Sequence, residues 1–180
     1  DEERTGPFID IDGQRFYRTG DIGQLSMDAE GTRRIRLLDR CSLRTKLSSG
    51  EWLLPSRVET CLEASPWIDY ALIMADSGAD YAVAVVLPSS IFEKKGGQGS
   101  NSDPAGYMLS LIRSWCNQAG LQAWEAPQAV HLAAGPWSVE SGVLLPGLKK
   151  NRGYLLHMYS TTKADLYAAV SSRTQATTSG

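Results

Sequence analysis

Residues 39 to 59 read Asp39-Arg40-Cys41-Ser42-Leu43-Arg44-Thr45-Lys46-Leu47-Ser48-Ser49-Gly50-Glu51-Trp52-Leu53-Leu54-Pro55-Ser56-Arg57-Val58-Glu59. An Asp-Arg pair ends an extended run, a polar segment of mixed charge follows, and a Ser-Ser-Gly turn leads through an apolar stretch to Pro55, a residue suited to the first position of a helix. This is the pattern of a hinge between two bodies.

On its N-terminal side the pattern is strand and turn. Two short extended runs flank Asp12-Gly13 between Phe8 and Arg18, which predicts a hairpin. A second turn at Asp28-Ala29-Glu30-Gly31 separates Asp21–Met27 from Thr32–Asp39, where Ile35 and Leu37 alternate with Arg34, Arg36 and Leu38, as in a half-buried strand. This β region is too small to fold alone, and it reads as the end of a larger domain whose body lies before Asp1.

On the C-terminal side, Val58 and Leu62 predict a helix of about ten residues after Pro55. Ile68–Ala75 and Tyr81–Leu87 predict a hairpin across Asp76–Asp80. Ser89–Pro104 reads as a flexible Gly/Ser-rich loop, and Ala105–Ala119 as a helix that Gly120 stops. Gln128–Ala133 predicts a strand, Ser141–Gly147 a loop, and Arg152–Tyr159 and Lys163–Val170 two helices. The expected fold class is α+β: a small C-terminal domain with a short mixed or antiparallel sheet flanked by helices, preceded by β elements from a larger N-terminal domain. The expected organisation is 1–39 for the β-rich end, 40–52 for the hinge, 53–170 for the small domain and 171–180 for a disordered tail.

Composition excludes several function classes. With 18 Lys and Arg against 20 Asp and Glu, the formal charge is −2, which gives no overall attraction to nucleic acid or anionic lipid. Arg33, Arg34, Arg36, Arg40, Arg44 and Lys46 are dense but lack interleaved aromatics, so a solvated strand face is a better reading than a nucleic-acid surface. Cys41, Cys61 and Cys116 carry neither disulfide-scaffold nor zinc spacing. They fit an intracellular setting, in the cytosol or at the cytosolic face of a membrane, and membrane attachment is left open. His131 and His157 lack partner spacing, so no metal ligand set is expected.

Tyr17-Arg18-Thr19-Gly20-Asp21 resembles the Tyr/Trp-x-Thr-Gly-Asp motif of the adenylate-forming enzymes. The spacing from there to Asp39-Arg40, to Lys46-Leu47-Ser48-Ser49-Gly50-Glu51-Trp52 and to the helix opening on Val58-Glu59 is similar to that of the long-chain acyl-CoA synthetase branch. Gly142-Val143-Leu144-Leu145-Pro146-Gly147-Leu148-Lys149 resembles that branch's Gly-x-Leu-Thr-Pro-Thr-x-Lys segment. The resemblance runs from about Gly6 to Val170.

The resemblance implies a two-step reaction, in which a fatty acid and ATP give an acyl-adenylate and coenzyme A then takes the acyl group, with Mg2+ accompanying ATP. Lys149 matches the adenylation lysine. Asp21 matches the carboxylate that accepts hydrogen bonds from the ribose, Arg40 matches an arginine at the nucleotide, and Tyr17 and Thr19 share that motif. Asp39 and Ser42 lie at the hinge, and Gly50, Glu51 and Trp52 match the turn facing the acceptor thiol. The small domain is implied to rotate between the two steps. Two positions depart from the pattern: Cys41-Ser42-Leu43 stands where charged residues are usual, and Leu145-Pro146-Gly147 stands for Thr-Pro-Thr. No Ser/Thr/Gly-rich phosphate loop with a lysine precedes a helix here, so the chain alone is expected to be an inactive fragment that works with a missing N-terminal adenylation domain.

Other readings stay open. The acceptor could be a carrier-protein phosphopantetheine, as in carboxylic acid reductases or polyketide loading modules, or the chain could be a non-catalytic interaction domain of the same fold. Taken singly, Asp21 reads as a turn-capping carboxylate, Lys149 and Lys150 as solvated cations at a helix start, and Glu59 as a helix-surface charge.

Overall fold

The structure is a computed structural model and describes residues 6–96 and 103–178. The chain divides into two compact units, 1–44 and 45–180.

The first unit holds two hairpins. β1 (Phe8–Ile11) pairs antiparallel with β2 (Gln14–Tyr17), and the two-residue turn between them has Asp12 at φ 51° and Gly13 at φ 76°. Both angles are left-handed, as a tight hairpin turn demands, and Asp and Gly tolerate them. β3 (Asp21–Met27) pairs antiparallel with β4 (Arg33–Arg40), with a register shift between Ile22 and Gly23. Opposed residues share a face, so Leu25 with Ile35 and Met27 beside them make one side apolar, while Gln24 with Arg36 and Ser26 with Arg34 make the other polar. The apolar side is open, with Leu25, Met27, Ile35 and Leu37 each more than 60% exposed.

The second unit is built on one sheet. After the short hairpin of β5 (Thr45–Lys46) and β6 (Trp52–Leu53) comes α1 (Pro55–Glu63), which starts on its proline as expected. β7 (Ile68–Ala75) pairs antiparallel with β8 (Ala82–Pro88). The chain then passes through α2 (Ser90–Gly96) and α3 (Pro104–Gln118) and returns as β9 (Ala129–Leu132), parallel to β8. The sheet is therefore mixed, in the order β7-β8-β9. A short hairpin of β10 (Leu144–Leu145) and β11 (Lys149–Lys150) precedes α4 (Arg152–Met158) and α5 (Ser160–Thr178).

Both faces of the sheet are covered. Ala71, Ile73, Ala84 and Val86 pack with Val58 and Leu62 of α1 and Met108 and Ile112 of α3. Leu72, Met74, Val83 and Val85 pack on the other side with Trp137, Leu155 and Tyr167. Burial on two faces explains why β7 and β8 read as almost continuous apolar runs rather than as alternating ones.

Three expectations are corrected. The stretch from Ser89, read as a loop, opens with α2: Ser89 Oγ accepts from Phe92 N at 3.4 Å and donates to Pro66 O at 2.6 Å, while Phe92 is buried against Tyr107. A capping serine and one buried aromatic outweigh the local glycine content, and the Gly97–Ser102 part of that loop lies outside the described residues. The loop expected at Ser141–Gly147 contains β10, paired with β11. The tail expected to be disordered from Ser171 continues α5 to Thr178, with Ser171, Ser172 and Thr174 each donating to the carbonyl four residues earlier; Ser179 and Gly180 lie outside the described residues. A polar segment can extend a helix that tertiary contacts have already started, without an apolar face of its own.

α5 is tied to the sheet by Tyr167, whose hydroxyl donates to Tyr81 O at 3.0 Å and accepts from Asp76 N at 3.1 Å. Burial pushes this phenol up to about 12. The folded state therefore holds the proton more tightly than the unfolded chain, and the resulting stability is complete below about pH 10 and lost as pH rises toward 12. Tyr167→Phe is expected to cost about 1–2 kcal/mol in urea denaturation at neutral pH and to flatten the loss of stability above pH 10. The β10–β11 turn supplies a second test. Leu148, after Gly147 at φ 85°, sits at φ 61°, where a branched side chain crowds the backbone. Leu148→Gly should raise stability and Leu148→Val lower it, each by about 1 kcal/mol, in the same denaturation assay.

Candidate functional site

Of the residues singled out in the first unit, Thr19, Asp21, Asp39 and Arg40 meet at the base of the β3–β4 hairpin. Asp21 opens β3 directly opposite Arg40 at the end of β4, and Arg40 Nε lies 2.8 Å from Asp21 Oδ1. Asp21 N donates to Thr19 Oγ1 at 3.2 Å, and Cys41 N donates to Gly20 O at 2.7 Å, which closes the loop onto the strand end. Tyr17 stands more than half exposed at the end of β2, edge-on to Phe8 with ring centroids 5.4 Å apart. Asp39 is buried, and its carboxylate accepts from Arg40 N at 2.7 Å. Ser42 is exposed in the turn that follows, where Leu43 N donates to Arg40 O. The arrangement presents an acceptor carboxylate, a guanidinium and an open aromatic ring within one unit, a set suited to a polar ligand carrying hydroxyls and negative charge.

In the second unit Gly50, Glu51 and Trp52 form the turn between β5 and β6. Leu47 and Leu53 at its two ends are buried and anchor it in the core. Leu47 N donates to Glu51 O, Gly50 N to Leu47 O, and Ser48 N reaches Ala79 O in the β7–β8 turn at 3.0 Å. Glu51 is exposed and Trp52 about half exposed, with Lys46 Nζ 6.0 Å from its ring centroid.

Lys149 lies on β11, opposite Leu145, with an exposed side chain. Its neighbour Lys150 points the other way, as successive strand residues must. Lys150 Nζ donates to Glu59 Oε2 at 2.8 Å, Glu63 Oε1 at 2.6 Å and Ala71 O at 2.7 Å. An ammonium has three protons, and all three are used. Arg152 adds Nη1 to Glu59 Oε1 at 2.7 Å and Nη2 to Ile73 O at 2.9 Å. Asn151 between them caps α4, accepting from Tyr154 N at 3.4 Å and donating to Gly142 O at 3.1 Å.

Glu59 is thus no surface charge: it is 2% exposed. It lies on the buried face of α1 with Pro55, Val58 and Leu62. That position was readable from helical spacing, because a residue one after Val58 and three before Leu62 shares their face. A carboxylate there must be paired with a cation, and its partners, about 90 residues away, are what local pattern does not reveal. Lys150, read as solvated, is likewise an internal ion-pair partner.

Among the described residues, no group of three His, Cys, Asp or Glu side chains could hold a metal ion, and no helix is long and apolar enough to cross a membrane.

No family model matches the chain. It is 31% identical over 90% of its length to a carboxylic acid reductase of Mycobacterium marinum, of which it spans 14%, and 27% identical over 93% of its length to long chain acyl-CoA synthetase 8 of Arabidopsis thaliana, of which it spans 25%. The A-PCP didomain of a carboxylic acid reductase from Segniliparus rugosus, solved in complex with AMP, matches with a TM-score of 0.76 and 28% identity, covering 93% of this chain and 22% of that one. The chain therefore spans a quarter or less of the length of these relatives. Its helices and short sheets match the C-terminal domain of adenylate-forming enzymes. In sequence and in fold, this chain belongs to the adenylate-forming superfamily, among relatives that include long-chain acyl-CoA synthetases and carboxylic acid reductases.

Proposed function

We propose that this chain works with a large adenylation domain as part of an ATP-dependent long-chain fatty acid–CoA ligase. In the first step a carboxylate oxygen attacks the α-phosphorus of ATP, an acyl-adenylate forms and pyrophosphate leaves. In the second the thiol of coenzyme A attacks the acyl carbonyl and AMP leaves.

The observation that carries this reading is the opposite fate of two adjacent lysines. Lys150 has every proton committed inside the domain, whereas Lys149 is exposed at the end of a hairpin turn. Two anions must approach each other in the first step, and a cation aimed between them lowers that barrier. Lys149, exposed and unlike Lys150 not committed to the ion cluster, is the residue we assign to that role. Asp21 would accept from the ribose hydroxyls, while Arg40, which holds Asp21, would face the nucleotide; Tyr17 and Thr19 complete that edge. The Gly50–Trp52 turn would meet the acceptor thiol. Magnesium would accompany ATP as part of the substrate.

A second reading keeps the chemistry and changes the acceptor to a phosphopantetheine arm on a carrier protein. It is supported by the likeness to the A-PCP didomain over 93% of the chain. Supplying free coenzyme A and a pantetheinylated carrier protein in parallel separates the two.

Lys149→Ala, in the enzyme complete with its large domain, is expected to slow carboxylate-dependent pyrophosphate exchange by at least about 100-fold, while thioester formation from supplied acyl-adenylate stays within a few-fold of the parent. Equal loss of both steps would contradict the assignment.

A further inference from the structure

Among the described residues β7 is an edge strand, with β8 as its strand neighbour on one side. An edge leaves backbone groups of alternate residues without a strand partner. Here those groups are met by charged side chains. Ala71 N donates to Glu63 Oε1 at 2.9 Å and Ala71 O accepts from Lys150; Ile73 N donates to Glu59 Oε1 at 2.8 Å and Ile73 O accepts from Arg152. Two residues further along, Ala75 O accepts from Lys163 Nζ at 3.3 Å. The carboxylates come from α1, and the cations from β11 and the first turns of α4 and α5. The β10–β11 hairpin is therefore bolted to the sheet edge through its second lysine. Its first lysine, one residue away on the opposite side of the strand, inherits that fixed position.

We infer that Lys150, Glu59, Glu63 and Arg152 are positioning residues for Lys149: they fix the strand that presents its ammonium, and they keep Lys150 from competing for the same anion. This inference rests on the reading of Lys149 proposed above. It adds that the first half-reaction is sensitive to an ion cluster that touches no substrate. With Lys150 released, β11 keeps its two-residue pairing with β10 and the anchors that follow it at Asn151 and Arg152 but loses its own tie to the sheet edge, and a displacement of Lys149 of about 1 Å is enough to lower a rate about 100-fold.

The test compares half-reactions in the complete enzyme. Lys150→Met, which removes the charge and keeps the stem, is expected to lower kcat for pyrophosphate exchange by about 10- to 100-fold with the KM for ATP changed less than about threefold. Thioester formation from supplied acyl-adenylate should be unchanged, and Lys150→Arg should restore most of the exchange. Glu63→Gln is the milder variant, since Glu63 lies at the partly exposed rim of the cluster and its loss spares the fold; it should lower exchange several-fold in the same selective way. Glu125→Gln serves as the control, because Glu125 is also buried in an ion pair, 2.7 Å from Arg57, in the same unit. It should leave the ratio of the two half-reactions unaltered. If the Lys150 and Glu63 variants lose both half-reactions together, or if Glu125→Gln reproduces their selective loss, the cluster is structural only and the inference falls. If Lys149→Ala itself leaves exchange intact, the reading of Lys149 falls first and this inference with it. Loss with Lys149→Ala but none with the cluster variants overturns the positioning role alone.

Discussion

The outer edge of β7 is the constraint on which the small domain depends. Backbone N–H and C=O groups at Ala71 and Ile73 have no neighbouring strand among the described residues, and leaving them buried and unpaired would cost more than a typical hydrogen bond contributes. Glu59 and Glu63 from one side of the sequence and Lys150 and Arg152 from the other solve this together, since each carboxylate meets both a backbone N–H and a cation. Glu59 is 3% exposed at its side chain and is paired with both Lys150 and Arg152, so removing both cations would strand a buried charge, at a cost of about 3–5 kcal/mol. The cluster joins α1, the sheet edge and the start of α4, which lie far apart in the chain, and it does so at the residue next to the exposed lysine.

The two turns that carry candidate chemistry have separate supports. The Gly50 turn leans on the β7–β8 turn through Ser48 N and Ala79 O, and that turn is in turn held from α5, where Lys163 pairs with Asp76 and Tyr167 accepts from Asp76 N. The Lys149 hairpin rests on the ion cluster at the middle of the same strand. The sheet thus supports one turn at its β7–β8 end and the other along its β7 edge, which suits a domain proposed to serve two steps in succession. The β3–β4 hairpin of the first unit contributes its own polar base, with Asp21 and Arg40 paired, beside an apolar face that is open to a covering partner.

Local pattern made much of this legible. Asp12-Gly13 announced its hairpin, Pro55 its helix, and the apolar runs around Ala71 and Val85 their strands, because each depends on short-range backbone preference or periodicity. The motif around Asp21 and the segment ending at Lys149 likewise named candidate residues in advance. Contacts over long sequence separation stayed hidden. Nothing near Lys150 distinguishes it from Lys149 until Glu59, 91 residues earlier, is placed beside it. α2 was masked by a glycine-rich neighbourhood, although Ser89 and Phe92 held the capping and burial that form it, and the end of α5 was masked by hydroxyl-rich composition that its own carbonyls satisfy.

The division of labour between the two adjacent lysines is tested most directly by their relative reactivity. Brief treatment of the folded protein with a limiting amine-acylating reagent, followed by fragment-ion mass spectrometry across Leu148–Arg152, reads Lys149 and Lys150 separately. The account predicts that Lys149 is modified while Lys150 is protected until denaturant opens the cluster, because all three protons of its ammonium are held by Glu59, Glu63 and Ala71. Modification of Lys150 as fast as Lys149 in the folded protein would contradict it.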